Sequence, residues 1–442
     1  MELGTITLGI ASTALLLFGV GWFVRRNDEL PLAITGFNFL FMRRLWLVES
    51  GMIDWARFDY GVPFNFSEYS HEAATYMLLG ATILTAAYCL FAKRAAPAAI
   101  DTADTFKAYL LRHRAKILAG FVLFSIANSI VRPSFSDNLD ELFASGYAFE
   151  FTLAHSSFII LITILVMYAQ RGTLAQKALM LGIVGSSAFF SIMPSLRFAI
   201  LGWAIPLAFV TSSTLRASRK LLIFTVTGGV VAIVFTVAGM LRNTEMQQLE
   251  PEQLMEAGVG ALLNGGDVNM LDGFTMLIQV YPDVLPYGLG SEHLEILTRP
   301  IPRSLWPGKP VGSWTQKLAV ASGTDLYGTG ISPSLYGSFY GEGGVLGVIL
   351  FSALYGWLFA RYMNWANRFR SVLRWVLRGV LVASLFALMR GGDLPGIAAF
   401  IGMSYWPLIL FVWGYGRALR QANTSRPQRF ARALEPPIAR RV

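Results

Sequence analysis

The sequence predicts an all-α polytopic membrane protein. Three observations carry that expectation. Hydrophobic residues make up 54% of the 442-residue chain and charged residues only 14%, against roughly 25% charged in a soluble domain. Mean hydropathy is +0.52. Stretches of about 18 or more apolar residues recur from end to end, each long enough to cross a hydrocarbon core of about 30 Å as a helix.

About eleven such helices are expected, near residues 4–24, 30–48, 72–92, 115–131, 148–169, 175–192, 198–213, 220–240, 338–360, 374–390 and 394–414. The first starts directly after Met1 and Glu2, without a basic leader or a small-residue cleavage site, so it is a retained span. The second carries "FLFMRRLWLV", with Arg43 and Arg44 inside an apolar run. The third holds Cys89, the single cysteine, which therefore has no internal disulfide partner. The turn "IMPSLRFAILGW" precedes the seventh, and "FALMRGGDLPG" joins the last two. Four parts follow: a bundle of about eight helices over 1–240, a loop with short helices over 241–337, about three more spans over 338–414, and a basic tail over 415–442.

Lys and Arg stay on the cytoplasmic side of short loops. One alternating assignment puts most of the 36 cations there, from Arg25 and Arg26 to the seven arginines after Tyr415. It leaves the N-terminus and the long loop outside and the C-terminus inside. The tail "RPQRFARALEPPIARR" is then a solvated basic segment near anionic lipid. No zinc-knuckle, Walker or Rossmann pattern accompanies it, so a nucleic-acid partner is not indicated. The four histidines, His71, His113, His155 and His293, include no i, i+4 pair, and no metal is expected. "GLGSEH" lacks the strand-then-helix setting of a phosphate loop.

The loop from Leu241 to Gly337 is far longer than a passive connection. "PEQLMEAGVGALLN" and "DVNMLDGFTMLIQV" space apolar residues as short helices lying on the bundle or at the interface would, with Met270, Leu271, Phe274, Leu277 and Ile278 on the second. Further on, "TRPIPRSLWPGKP" sets Pro300, Pro302, Pro307 and Pro310 around one tryptophan, which predicts a stiff extended or turning strip. Glycine, tyrosine, tryptophan and serine are frequent on either side of it. Such residues suit a saccharide, since aromatic faces stack on sugar C–H faces, and they are ordinary loop residues as well.

Eleven cations remain outside: Arg43, Arg44, Arg57, Arg132, Arg197, Arg242, Arg299, Arg303, Lys309, Lys317 and Arg390. Arg44 and Arg132 are expected to snorkel to headgroups, and Arg57 to pair with Asp54 or Asp59. Arg197 and Arg390 lie in tight turns where the positive-inside bias disfavours arginine. Guanidinium groups bind phosphate oxygens in bidentate fashion. Several converging on one cavity would neutralise a diphosphate while its lipid tail stays among the helices.

"YGLGSEHLEILTRPIPRSLWPGKP" followed by "SLYGSFYGEGGVLGVI" resembles the Wzy-type polymerases of O-antigen repeat units, and the arginines of "MPSLRFAIL" and "LMRGGDL" are similar in placement to that family's. The likeness runs from about Arg197 to Arg390. It implies an integral inner-membrane glycosyltransferase with a GT-C-like bundle, metal-independent, inverting and without a cofactor. Such an enzyme moves a glycan from undecaprenyl pyrophosphate to an incoming lipid-linked repeat unit on the periplasmic face. Membrane lipids and a chain-length regulator are the other partners it implies. Arg197, Arg303, Lys309 and Arg390 are assigned to the donor diphosphate, with Arg242 and Arg299 as further candidates. For the base that inverting transfer needs, Glu342, Asp272 and His293 are the candidates; the family often has an acid near the position of Ser338, and here the nearest is Glu342.

Two alternatives use the same donor. An O-antigen ligase would share the topology and the arginines and rely on a loop histidine such as His293. A flippase would favour paired broken helices in two related halves, and no internal repeat is visible.

Overall fold

The computed structural model describes residues 2–55, 64–93, 101–131, 153–169, 172–190, 197–240, 268–299, 301, 305–306, 313–323 and 331–434. These are helices and their connections, with no strand among the described residues. In chain order they are α1 (Leu3–Arg26), α2 (Glu29–Glu49), α3 (Phe66–Phe91), α4 (Ala103–Arg112), α5 (Arg114–Val131), α6 (His155–Ile164, continued by a π-helical turn), α7 (Leu174–Phe190), α8 (Arg197–Thr211), α9 (Ala217–Met240), α10 (Met270–Val280), α11 (Ser291–Thr298), α12 (Trp314–Ser322), α13 (Ser334–Ala366), α14 (Leu373–Leu388) and α15 (Leu394–Leu434).

Every apolar run of the sequence is helical where it is described. Helices at Leu3–Arg26, Phe66–Phe91, Ser334–Ala366 and Leu394–Gln421 are long and apolar enough to cross a membrane, and shorter apolar helices accompany them. Large side chains such as Ile10, Leu17 and Phe18 of α1 or Leu350 and Leu354 of α13 face outward. In water such a surface would invite aggregation; against lipid it is at rest.

The chain forms two compact units. The first comprises Met1–Arg94, Ile192–Asn364 and Leu377–Ile401. In it α1 and α2 form a hairpin whose turn places Asn27 in the left-handed region, φ 52°, with its N–H on Phe23 O at 2.7 Å. Asp28 caps α2 by accepting from Leu30 N–H. Glycines set how closely neighbouring helices approach. A Cβ on Gly356 of α13 would stand 2.5 Å from the Leu84 carbonyl of α3, and one on Gly80 of α3 would meet the Tyr336 ring at 2.4 Å. Small residues at such contacts let backbones touch where no hydrophobic drive joins helices in lipid.

One end of this unit holds a buried ion network. Arg378 donates to Glu29 and to the Asn27 carbonyl, and Lys220 Nζ lies 3.2 Å from Asn27 Oδ1 and 3.9 Å from Glu29 Oε1. Tyr88 OH donates to Asp28 at 2.8 Å. Lys220 and Arg378 are both buried. A charge kept from water needs a partner, since desolvation costs several kcal/mol per ion.

The second unit comprises Ala95–Ser191, Trp365–Val376 and Gly402–Val442. Its organiser is Asp101, which accepts from the N–H groups of Arg370 and Ser371 and from Tyr415 OH. Phe106 and Tyr109 of α4 pack on the Tyr415 ring with centroids 5.2 and 5.1 Å away. Helix α4 falls where the apolar profile gave no element, because its capping box, Thr102 with Thr105, is a local polar signal.

Two expectations are corrected. Helix α10 does not lie on a surface: Met270, Leu271, Phe274, Met276 and Leu277 are buried, and so are its polar Asp272 and Thr275. It packs against α2 and α3, and its polar groups find internal partners. Arg44 does not snorkel; it is 1% exposed, paired with Asp272, and gives Nη2 to the Asp54 carbonyl at 3.1 Å. The helix "PEQLMEAGVGALLN", Arg57, Arg132 and the strip's four prolines lie outside the described residues.

The glycine contacts make a testable claim. Gly356→Leu should lower stability by about 1–3 kcal/mol through overpacking, read as a lower melting temperature of the detergent-solubilised protein. Gly402→Ala, inside α15 where an added Cβ meets nothing within 4 Å, should instead raise melting slightly, since alanine favours a helix over glycine.

Candidate active site

Residues Tyr287 to Ser291 turn sharply before α11. Leu289 and Gly290 both take positive φ, 50° and 95°, and the turn exposes a row of N–H groups. Gly288 N–H donates to the Gly341 carbonyl at 2.9 Å and Leu289 N–H to the Glu342 carbonyl at 2.8 Å. The Glu342 carboxylate takes the next two, Gly290 N–H on one oxygen and Glu292 N–H on the other at 2.8 Å. An anion on a helix N-terminus satisfies donors the helix itself leaves open and opposes the positive end of its dipole.

Helix α13 breaks immediately after Glu342. Gly344 has φ 60° and ψ −146°, a conformation side chains avoid. A Cβ there would lie 3.0 Å from Tyr287 Oη, and one on Gly288 would lie 3.2 Å from the Glu342 carboxyl. The string "YGEGGVLG" is therefore a break that carries the cap of α11.

Glu292, the second residue of α11, is buried. Its Oε1 stands 3.6 Å from Lys317 Nζ of α12. Its Oε2 is shut from solvent and accepts no hydrogen bond from any described residue. Burial pushes this carboxyl up to about 8; Lys317 opposes the rise, while the charges of Glu342, Asp393 and Glu295 add to it. Glu295 is also raised by burial, with Lys317, 3.9 Å away, and Arg299 opposing.

Arg390 enters through the turn between α14 and α15. Gly391 and Gly392 take φ 67° and 92°. A Cβ on Gly391 would collide with the Ser334 carbonyl at 2.0 Å, so the turn lies directly on the first turn of α13. Gly392 N–H donates to Ser338 Oγ at 2.7 Å, Leu335 N–H to the Met389 carbonyl at 3.1 Å, and Trp314 N–H to the Gly392 carbonyl at 3.4 Å. Trp314 Nε1–H donates to the Ile331 carbonyl at 3.2 Å. Asp393 closes the turn by accepting from Gly396 N–H at 2.9 Å. The segments at 288–299, 313–323, 331–344 and 389–396 thus form one connected body that carries Arg299, Lys317 and Arg390 as well as Glu292, Glu295, Glu342 and Asp393, with Lys317 facing Glu292 and Glu295.

The sequence candidates distribute unevenly over this body. Glu342, His293, Arg299 and Arg390 belong to it. Asp272 lies in α10, buried against Arg44. The His293 ring stacks on Phe351 with centroids 4.1 Å apart, next to Phe339 and Tyr355, and both its nitrogens are buried without a hydrogen bond among the described residues. Burial lowers its basicity, with Glu342 acting the other way. Arg197 begins α8, but its side chain is outside the described part; Arg242, Arg303 and Lys309 lie outside the described residues altogether.

Glu292, Lys317 and Asp393 were not singled out as site residues. A faint signal existed: Glu292 and Glu295, three apart, share a face of α11. Among the described residues, Glu2, Glu49 and His71 bring three potential metal-ligand atoms within 4.8 Å of one another. Chemically, the body at α11 to α13 combines Arg299, Lys317 and Arg390 with a buried acid that burial raises to about 8.

A family model described as O-antigen polysaccharide polymerase Wzy matches residues 30–423. No curated protein and no solved structure gives a match.

The cap predicts local behaviour. Glu342→Ala removes both acceptors and should cost about 1–2 kcal/mol, as loss of a helix cap does. Amide exchange over residues 288–298 should speed up well beyond that of α3, whereas Glu342→Gln, keeping one acceptor, should show a smaller effect.

Proposed function

Because the chain belongs to the O-antigen polysaccharide polymerase family Wzy, we propose that it joins lipid-linked oligosaccharide repeat units, moving the growing glycan from undecaprenyl pyrophosphate to the incoming unit. The match over residues 30–423 carries this reading. The gathering of Arg299, Lys317 and Arg390 on one body supports it, because the donor's diphosphate is the leaving group. Cations fixed where its charge develops lower the barrier electrostatically.

On this reading the reaction inverts the anomeric centre and needs no metal. Arg390 and Arg197 grip the diphosphate, with Arg303 and Lys309 of the proline-rich strip, and Arg242 and Arg299 are further candidates. Lys317 is drawn toward Glu292 and Glu295 and tunes the acids. The apolar carrier lies among the helices, and the glycan reaches the aromatic-rich loop. The fold is a GT-C-like bundle of about eleven spans in the bacterial inner membrane, divided at 240, 337 and 414. The positive-inside bias supports a periplasmic N-terminus and loop and a cytoplasmic tail, with a chain-length regulator as partner.

Purified protein given a lipid-linked repeat unit alone should yield a ladder of longer lipid-linked glycans; no product unless a lipid A core acceptor is added would point to a ligase instead. Arg390→Ala and Arg197→Ala should each abolish the ladder while the protein remains in the membrane, and Arg390→Lys should restore little of it, since an ammonium cannot make the bidentate contact. Normal chain lengths in both alanine variants would remove the arginines from the site.

A further inference from the structure

Inverting transfer needs a group to take the acceptor's proton, and the three carboxyl and imidazole candidates visible in the sequence differ in what the fold leaves them free to do. Both Glu342 oxygens are occupied by backbone N–H groups at the head of α11. Asp272 is held by Arg44 inside the helix layer of α2, α3 and α10. His293 is clasped between aromatic rings, with Phe351 face to face. Glu292 differs from Glu342 and Asp272, which protein donors hold. It differs also from His293, whose nitrogens likewise lack a partner among the described residues but whose ring is packed face to face on Phe351. One carboxyl oxygen faces Lys317 at 3.6 Å, and the other is buried with no donor among the described residues. A buried acceptor without a donor is costly and calls for an explanation. An acceptor hydroxyl is the donor that would complete it.

We propose that Glu292 is the catalytic base of the polymerase, taking the proton of the acceptor sugar's hydroxyl as that oxygen attacks the anomeric carbon of the donor. This rests on the polymerase reading. In the step, a bond forms between the acceptor oxygen and the anomeric carbon. The bond from that carbon to the diphosphate oxygen breaks, and its electron pair leaves with the diphosphate. The hydroxyl proton passes to the Glu292 carboxylate and is lost to water after release. No other reactant is required.

Three features of the fold serve that role. Glu292's own N–H is pinned by Glu342 at 2.8 Å, which fixes the start of the side chain. Titratable groups face it from several elements: Lys317 from α12, Glu342 and Tyr355 from α13, Asp393 from the turn before α15, Tyr281 at the end of α10, and Glu295 one turn along α11. Burial above all holds the proton, Lys317 opposes it, and the neighbouring acids add to the hold, raising the carboxyl to about 8. A base poised close to working pH is the effective compromise between being ionised and being basic. Arg299 ends the same helix, and Arg390 lies three residues before Asp393, so cations for the leaving group sit on the same body.

The test is the rate of ladder formation from a lipid-linked repeat unit by the purified full-length protein between pH 6 and 10. Wild type should gain rate as pH rises and level off above about 8. Glu292→Gln should lose at least about 100-fold in kcat and lose that rise, while KM for the lipid-linked unit and the size-exclusion profile stay as in wild type. Glu292→Asp should retain a reduced rate and keep a rise, at a displaced inflection. Lys317→Met should move the inflection upward. A Glu292→Gln enzyme within tenfold of wild type, or an inflection that follows His293→Asn in place of the Glu292 and Lys317 variants, would overturn the assignment while leaving the polymerase reading intact. Absence of a ladder with wild type would strike that reading itself.

Discussion

The Glu342 carboxylate joins two things that the covalent chain keeps apart: the break in a long apolar helix and the head of a short polar one. Its oxygens accept one backbone N–H from the turn before α11 and one from the helix's second residue. Two more hydrogen bonds, from Gly288 and Leu289 to the carbonyls of Gly341 and Glu342, fasten the same turn. Charge-assisted hydrogen bonds of this kind are the stronger sort. Without them α11, eight residues long, would have little reason to stay helical. With α11 fixed, Glu292 and Glu295 are placed against Lys317, and the site has its acids.

The same economy governs the charges elsewhere. A bundle with few polar groups cannot tolerate an ion without a partner, so ions arrive in sets: Arg44 with Asp272, and Arg378 and Lys220 with Glu29. Each set ties helices that are distant in sequence. Such sets add less to stability than their Coulomb attraction suggests, because desolvation offsets it, yet removing one partner is severe. They act as register pins: α10 can take only the position that brings Asp272 to Arg44. In the group around Glu292 no cation donates directly to the carboxylate: Lys317 stands 3.6 Å away, and among the described residues Oε2 has no donor. Departures from internal satisfaction are where function is to be sought.

Much of the architecture was legible in the sequence. Apolar length located the helices, and the spacing of Met270, Leu271, Phe274, Leu277 and Ile278 located α10 within the long loop. What escaped depends on distant partners. Arg44 reads as a snorkelling residue because its counter-ion lies 228 positions away. Glu292 reads as an ordinary helix-start acid beside a more conspicuous histidine. Its burial, and the nearness of Glu342 and Asp393, exist only once α11, α13 and the glycine turn have assembled. Glu342, a candidate base by its sequence, is seen in the structure as an acceptor of two backbone hydrogen bonds, a setting that depends on a segment some 50 residues away.

Glycine has a specific part in this assembly. A charged site beside apolar helices needs irregular backbone, and irregular backbone in such surroundings must be covered by other protein. Gly344 supplies the break, Gly288 the space for the Glu342 carboxyl, and Gly391 the close approach to Ser334. At each, a side chain would either collide or force a disfavoured φ. The cost is entropic, since glycine loses the most freedom on folding; the gain is that polar turns of three separate segments nest together through hydrogen bonds from their backbone N–H groups. An enzyme acting on a substrate that is half lipid and half sugar has to set charge against a greasy wall, and nested glycine turns are a means of doing so with backbone alone.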